Sequence, residues 1–215
     1  METIQQFTDY VSANGGYIWT EFYRHFLMSV YGVLFAAVIS VPLGILIAKY
    51  SKLSGWVLAA GSIIQTIPAL GAMAVIMLVM GLGTNTAIVT LMLYSILPIT
   101  QNTYVGMKNV DQTVIEAGHA SGMTRFQLLR MVELPLAVSV IMAGIRTALV
   151  IGIGIVAIGA FIGAGGLGAI IVTGTNATDG TAIILAGAIP TAIMAIIADV
   201  VMGWIERRLQ PGQSA

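Results

Sequence analysis

Residues 53–107 contain no Lys, Arg, Asp, Glu or His, and residues 147–178 contain none either. Tracts of that length have no means of coating themselves in water. A helix needs roughly 20 apolar residues to cross a bilayer, so the first tract alone holds two crossings. Only 8% of the chain is charged and 58% is hydrophobic, whereas soluble domains are about a quarter charged. The expected class is an all-α polytopic membrane protein, a single domain over residues 1–215.

Several functions drop out on composition. The formal net charge is zero and there is no cysteine, so neither nucleic-acid binding nor a disulfide or thiolate-metal framework is indicated. His25 and His119 have no partner cluster, so no metal is assigned. No nucleophile, base and oxyanion arrangement emerges, and enzyme function is not expected. The N-terminus lacks a basic segment followed by an apolar core, so no cleavable signal is read there.

Five spans are predicted, at about 25–48, 56–80, 84–106, 137–161 and 181–205. Tyr17 and Trp19 precede the first, Trp56 opens the second and Trp204 closes the fifth, as interfacial aromatics do. Placing the N-terminus outside puts Lys49, Lys52, Lys108, Arg125, Arg130, Arg207 and Arg208 in the cytoplasm. Only Arg24 is then outside, with Arg146 inside a span, a clear positive-inside asymmetry. The C-terminus is cytoplasmic in this reading. A six-span alternative divides 137–178 into two helices and ranks second, because it moves the C-terminal arginines to the side of the N-terminus. FIGAGGLG, residues 161–168, reads instead as a short re-entrant or interfacial segment.

One long cytoplasmic loop remains, about 107–136, much longer than the median connection of roughly 4–6 residues. Asp111 is placed to cap a helix through Val114, Ile115, Ala117 and Ala120. Gly122 supplies a stop. Thr124 and Gln127 form a T-x-x-Q capping box, opening a second helix with Phe126, Leu129 and Val132 on one face. Pro135 is expected to end that helix before the next span. Two capped helices and an apolar stripe suit a docking surface better than a plain connector.

Glu116, Ala117, Gly118, Gly122, Val132, Leu134 and Pro135 fall at the spacing of the E-A-A loop of ABC-type importer permeases, which the chain therefore resembles. The family pattern is E-A-A, three residues, G, nine residues, I, one residue, L-P. Here Gly118 replaces the second alanine, expected to loosen the first helix slightly, and Val132 replaces the isoleucine. The resemblance implies the type I, methionine-importer-like permease fold in a bacterial inner membrane. It also implies that the loop couples to a separate ATP-binding subunit carrying ATP and Mg. This chain has no G-x-x-x-x-G-K-[ST] phosphate loop, so it has no cofactor of its own. A second permease, identical or paralogous, and an extracytoplasmic substrate-binding protein complete the implied assembly.

IIQTIPALGA at 63–72, LYSILPITQNTYVGMKNVD at 93–111, GMTRFQLLRMVELPLA at 122–137, MAGIRTALV at 142–150 and FIGAGGLG extend the likeness. Together they are similar to permeases of osmoprotectant importers, whose cargo is glycine betaine, carnitine, choline and related compounds. A methionine-type or other small-solute importer is the alternative. An ion-coupled secondary transporter ranks lower, since five spans show no internal repeat.

Within the membrane, Gln65, Thr66 and Pro68 fall mid-span, where a proline kink frees carbonyls and can mark a transport route. Arg146 is costly at its depth. A cation is ill suited to line the route of a quaternary ammonium, so structural pairing with Asp199 is expected. Gly144, Ala148 and Gly152, then Gly159 and Gly163, present small residues for close helix packing.

Overall fold

The computed structural model describes residues 2–210. Every regular element among them is helical: α1 Glu2–Lys49, α2 Ser51–Thr66, α3 Ala69–Met80, α4 Thr84–Lys108, α5 Gln112–Ala120, α6 Arg125–Leu128, α7 Leu134–Ile158, α8 Leu167–Thr175 and α9 Thr181–Arg208. A π turn, Leu129–Glu133, joins α6 to α7, and a 3-10 turn, Gly159–Ile162, follows α7. Three continuous helical segments, Thr3–Lys49, Arg125–Ile162 and Thr181–Arg208, are long and apolar enough to cross a membrane, and α2 with α3 makes a fourth if the bent pair is one span.

The first helix begins far before residue 25. Phe7, Tyr10, Val11, Ile18 and Phe22 recur on one helical face and pack on a buried cluster of Ile153, Leu167, Ile170, Ala186 and Met194. That contact carries the helix across Gly15 and Gly16, so Tyr17 and Trp19 lie within it rather than ahead of it.

The expected second span is two helices bent by 94°. Ile67 precedes a proline, which disfavours the α conformation, and it is extended at φ −74°, ψ 128°. Pro68 then caps α3 at φ −58°, ψ 135°. The proline has broken the helix rather than kinked it.

α4 is the centre of the bundle. Thr86, Thr90, Ser95, Thr100 and Thr103 turn inward and are buried. Thr90 and Thr103 return their hydroxyl protons to the carbonyls of Thr86 and Ile99, each at 2.8 Å, so these two hydroxyls cost little inside. Small residues let the neighbours close in. A side chain at Gly44 of α1 would begin 2.5 Å from Thr103 Cβ, and one at Gly144 of α7 2.9 Å from the Pro98 carbonyl. One at Gly152 would begin 2.6 Å from Leu91, which is fully buried. The small-residue face of α7 is thus spent on α4. Gly163 lies outside that face: at φ +74° it turns the chain after the 3-10 segment.

Pro135 does not end a helix. The Leu134 N–H donates to the Leu129 carbonyl, five residues back, and the wider turn lets Pro135 sit at the start of α7. The result is one helical rod, Arg125–Ile162, of 38 residues. Beyond it α8 has nine residues, about 14 Å at 1.5 Å per residue, less than half of a hydrocarbon core of roughly 30 Å.

Candidate functional site

The loop at 107–136 folds as two short helices meeting at a left-handed glycine. Asp111 caps α5 by accepting the Thr113 N–H at 2.9 Å, and the Thr113 hydroxyl donates to the same oxygen. These two donors hold the exposed Asp111 carboxyl below its usual range. Gly122 turns the chain at φ +77°. Thr124 and Gln127 form the reciprocal capping box: the Thr124 N–H donates to Gln127 Oε1 at 2.8 Å, and the Gln127 N–H to Thr124 Oγ1 at 3.3 Å.

Inside this corner Leu128 is buried against Gly118. A methyl group at Gly118 would begin 2.6 Å from Leu128 Cδ1, so the glycine seats a leucine instead of loosening the helix. The inward residue of the second helix is therefore Leu128, while Phe126 is 67% exposed. Leu129 and Val132 are half-buried as expected, so Phe126 is the one residue of the expected face that turns outward. Glu116 and Ala117 are exposed, Leu134 is half-buried and Pro135 is exposed. Val114, Phe126 and Met131 are exposed apolar neighbours of these charged positions. The corner offers a rigid, mixed apolar and charged surface.

At the break between α2 and α3, Gln65, Thr66 and Pro68 are exposed on the surface of the chain. Thr66 closes locally on the Ile63 carbonyl at 2.7 Å. Gln65 reaches across, its amide donating to the Tyr94 carbonyl at 3.0 Å. That carbonyl would ordinarily receive the N–H of residue 98, which is Pro98 and has none. In return the Tyr94 hydroxyl donates to the Ile67 carbonyl, which the break has exposed. Two prolines on two helices each leave a carbonyl unsatisfied, and one pair of side chains answers both. The sequence signal was Pro98 four residues after Tyr94.

Between α7 and α9, the guanidinium of Arg146 donates to both oxygens of Asp199, at 2.7 and 2.8 Å, and to Glu206 at 3.1 Å. Glu206 was not singled out from the sequence. Asp199, Gly203 and Glu206 share one face of α9 at spacings of four and three, and a side chain at Gly203 would begin 2.9 Å from Arg146. The glycine leaves room for the fork.

A polar latch at the opposite end of the molecule also escaped sequence reasoning. Glu21, Arg24 and His25 lie on one face of α1 against the glycine turn of 163–166. Glu21 accepts the Gly166 N–H. Arg24 donates to the Thr84 hydroxyl at 3.0 Å, which donates to the Ala164 carbonyl at 3.2 Å. His25, fully buried, lies 2.9 Å from the Ile153 carbonyl through Nε2. Gly165 and Gly166 have positive φ, and the Arg24 guanidinium lies where a Gly165 side chain would be. The pattern E-x-x-R-H facing a G-A-G-G run was the available clue.

The sequence pattern of the binding-protein-dependent transport system inner membrane component matches residues 40–211. The chain belongs to this family. It is 69% identical over 211 residues to the glycine betaine/carnitine/choline transport system permease protein OpuCD of Bacillus subtilis, covering 98% of this chain and 92% of that one. To the carnitine transport permease protein OpuCD of Listeria monocytogenes it is 64% identical, covering 98% and 95%. Among solved structures, the MetNI methionine ABC transporter in inward-facing conformations superimposes with a TM-score of 0.75 at 25% identity, over 87% of this chain and 94% of that one. The all-helical ABC importer permease fold is thereby established, and with it a membrane component of a transport system.

Proposed function

We propose that this chain is the permease subunit of an ATP-driven importer of osmoprotectants such as glycine betaine, carnitine or choline. The observation that carries this reading is 69% identity along nearly the whole chain to a permease named for those three solutes. In this reading the chain is one permease domain of five spans, α1, α2 with α3, α4, α7 and α9, in the bacterial inner membrane. Its N-terminus is outside and its C-terminus cytoplasmic. α4 counts as a span although its inward hydroxyls lower its apolarity, because its 25 residues reach the required length.

Hydrolysis takes place on a separate ATP-binding subunit, which docks at the corner formed by Glu116, Ala117, Gly118 and Gly122, braced by Leu134 and Pro135. Two permeases pair, and a binding protein delivers solute from outside. The physical support for coupling is the unbroken connection from the corner through the π turn into α7. Nucleotide-driven movement of the docked subunit then moves a spanning helix directly. The exposed break at Gln65, Thr66 and Pro68 is the proposed lining of the route, and the Arg146, Asp199 and Glu206 cluster fastens α7 to α9.

Uptake of labelled glycine betaine, carnitine and choline is the test, in cells lacking their own osmoprotectant importers and supplied with this system. Uptake dependent on this chain and on an intact ATPase subunit is expected. Uptake of none of the three, with methionine carried instead, would overturn the substrate. Orientation is tested separately: a thiol at Lys52→Cys should react only from the cytoplasmic side.

A further inference from the structure

A cavity of about 540 Å³ lies where the end of α1, the end of α4 and the loop corner converge. Its floor is apolar, with Ile45 of α1 and Leu129 of the π turn, and its polar lining includes Lys49, Lys108 and Arg125 against one carboxylate, Glu133. Such a volume falls in the range of small-molecule sites, about 300–1,000 Å³. The two ion pairs among the described residues both belong to Arg146, so none of these three cations is paired with a carboxylate. Lys108 is held by a neutral acceptor, the Ser51 hydroxyl, at 2.9 Å.

The helix ends explain part of this charge. Lys49 and Lys108 sit in the last turns of α1 and α4, where cations complement the carbonyl ends. Arg125 has no such excuse. It is the first residue of the 38-residue rod, where the helix dipole disfavours a cation. A cation in that position, facing two others across an apolar floor, calls for an anion with an apolar body attached.

We propose that this cavity binds the phosphate headgroup of an anionic membrane phospholipid, with its upper acyl chains on the Ile45 and Leu129 side. The lipid phosphate bridges Arg125 to Lys49 and Lys108, and so ties the loop corner to α1 and α4. Its placement at a bilayer surface rests on the spanning assignment proposed above, which the Lys52→Cys labelling tests independently.

The experiment uses the purified importer complex, permease with its ATPase subunits, stripped of lipid in detergent. Binding of fluorescent phosphatidylglycerol is followed by anisotropy, with unlabelled competitors. Phosphatidylglycerol should displace the probe, while phosphatidylcholine and inorganic phosphate at equal concentration should not. Each lost cation should weaken binding about five-fold, so Lys108→Gln with Arg125→Gln should lose about 25-fold. Lys52→Gln, a cytoplasmic-end cation outside the cavity lining, should change nothing. Co-elution of all subunits on size exclusion checks assembly, and Lys49→Gln replaces Arg125→Gln if that variant does not assemble. Equal displacement by phosphatidylcholine overturns the proposal. Equal displacement by inorganic phosphate overturns it in favour of a free-phosphate site, and an equal loss in Lys52→Gln in favour of diffuse surface charge. Unchanged lipid binding with lost ATPase retention overturns it in favour of a protein partner.

Discussion

α3 and α4 come from one uncharged tract, yet they solve opposite problems. α3, ALGAMAVIMLVM, carries no polar side chain, and Met73 is its one buried residue. α4 carries five inward threonines and serines and is buried along its length. The more oily helix faces outward and the more polar one fills the core. In a bilayer an apolar face gains nothing by hiding from lipid, so burial follows close packing and hydrogen bonding rather than hydropathy. α4 wins the centre because Gly44, Gly144 and Gly152 let α1 and α7 reach its backbone, while the α2–α3 pair is tied to α4 at its break by the Gln65 and Tyr94 clasp.

Mutations can break that contrast. The largest effect is expected at Gly44→Leu, whose side chain would meet Thr103 Cβ at 2.5 Å and the Thr100 carbonyl at 2.9 Å. Backbone cannot step aside as a rotamer can, so a loss at or above the usual ~1–3 kcal/mol of overpacking is expected, seen as a collapsed thermal melt. A Cβ at Gly71 on α3 would meet nothing within 4 Å, so Gly71→Leu should leave the melt of the single chain unchanged. If it abolished permease pairing instead, the outward face of α3 would be assigned to the partner.

The clasp comes next. Gln65→Leu strands the Tyr94 carbonyl and should cost about 1–3 kcal/mol, the usual penalty of an unsatisfied buried group. Pro98→Ala restores an N–H to that carbonyl, so in its background Gln65→Leu should be nearly neutral by thermal melt. Equal losses in both backgrounds would remove proline as the cause. A smaller effect is expected from Gly118→Ala in the corner. The helix gains up to about 1 kcal/mol over glycine, but Leu128 must shift, and net change within about 0.5 kcal/mol should be read by melting the complex.

The smallest is the pH dependence of the α5 cap. Asp111 titrates below its ordinary 3.8 when folded, so its contribution is complete above that value and is lost as pH falls through the lowered one. Hydrogen-exchange protection of 112–120, corrected for intrinsic rates, should be flat from about pH 5 to 8 and drop only below about pH 4.

Much of this architecture was legible because its signals are local. The uncharged tracts gave the class, and Asp111, Gly122 and the Thr124–Gln127 pair gave the two corner helices at their observed positions. What escaped depended on partners distant in sequence. Phe7 to Phe22 extend α1 only because Leu167 and Ile170 are there to receive them. Pro68 breaks its helix where a kink was expected, and the Ile67 carbonyl left at the break is taken up by the Tyr94 hydroxyl, 27 residues further on. Pro135 fails to stop a helix because a π turn absorbs it, a feature without a compositional mark. Glu206 joins Arg146, and Glu21 finds Gly166, across separations of 60 and 145 residues, which no local pattern encodes.

The unbroken rod from Arg125 to Ile162 has a mechanical consequence. At 1.5 Å per residue, 38 residues make a strut on the order of 57 Å. A pivot of about 5° at its middle would carry each tip through roughly 2.5 Å, in opposite directions, by the same geometry. The far tip is the glycine turn gripped by Glu21, Arg24 and His25. If the rod pivots as one body, a nudge at the corner arrives there as equal travel, and the Glu21–Gly166 hydrogen bond would draw the first helix with it.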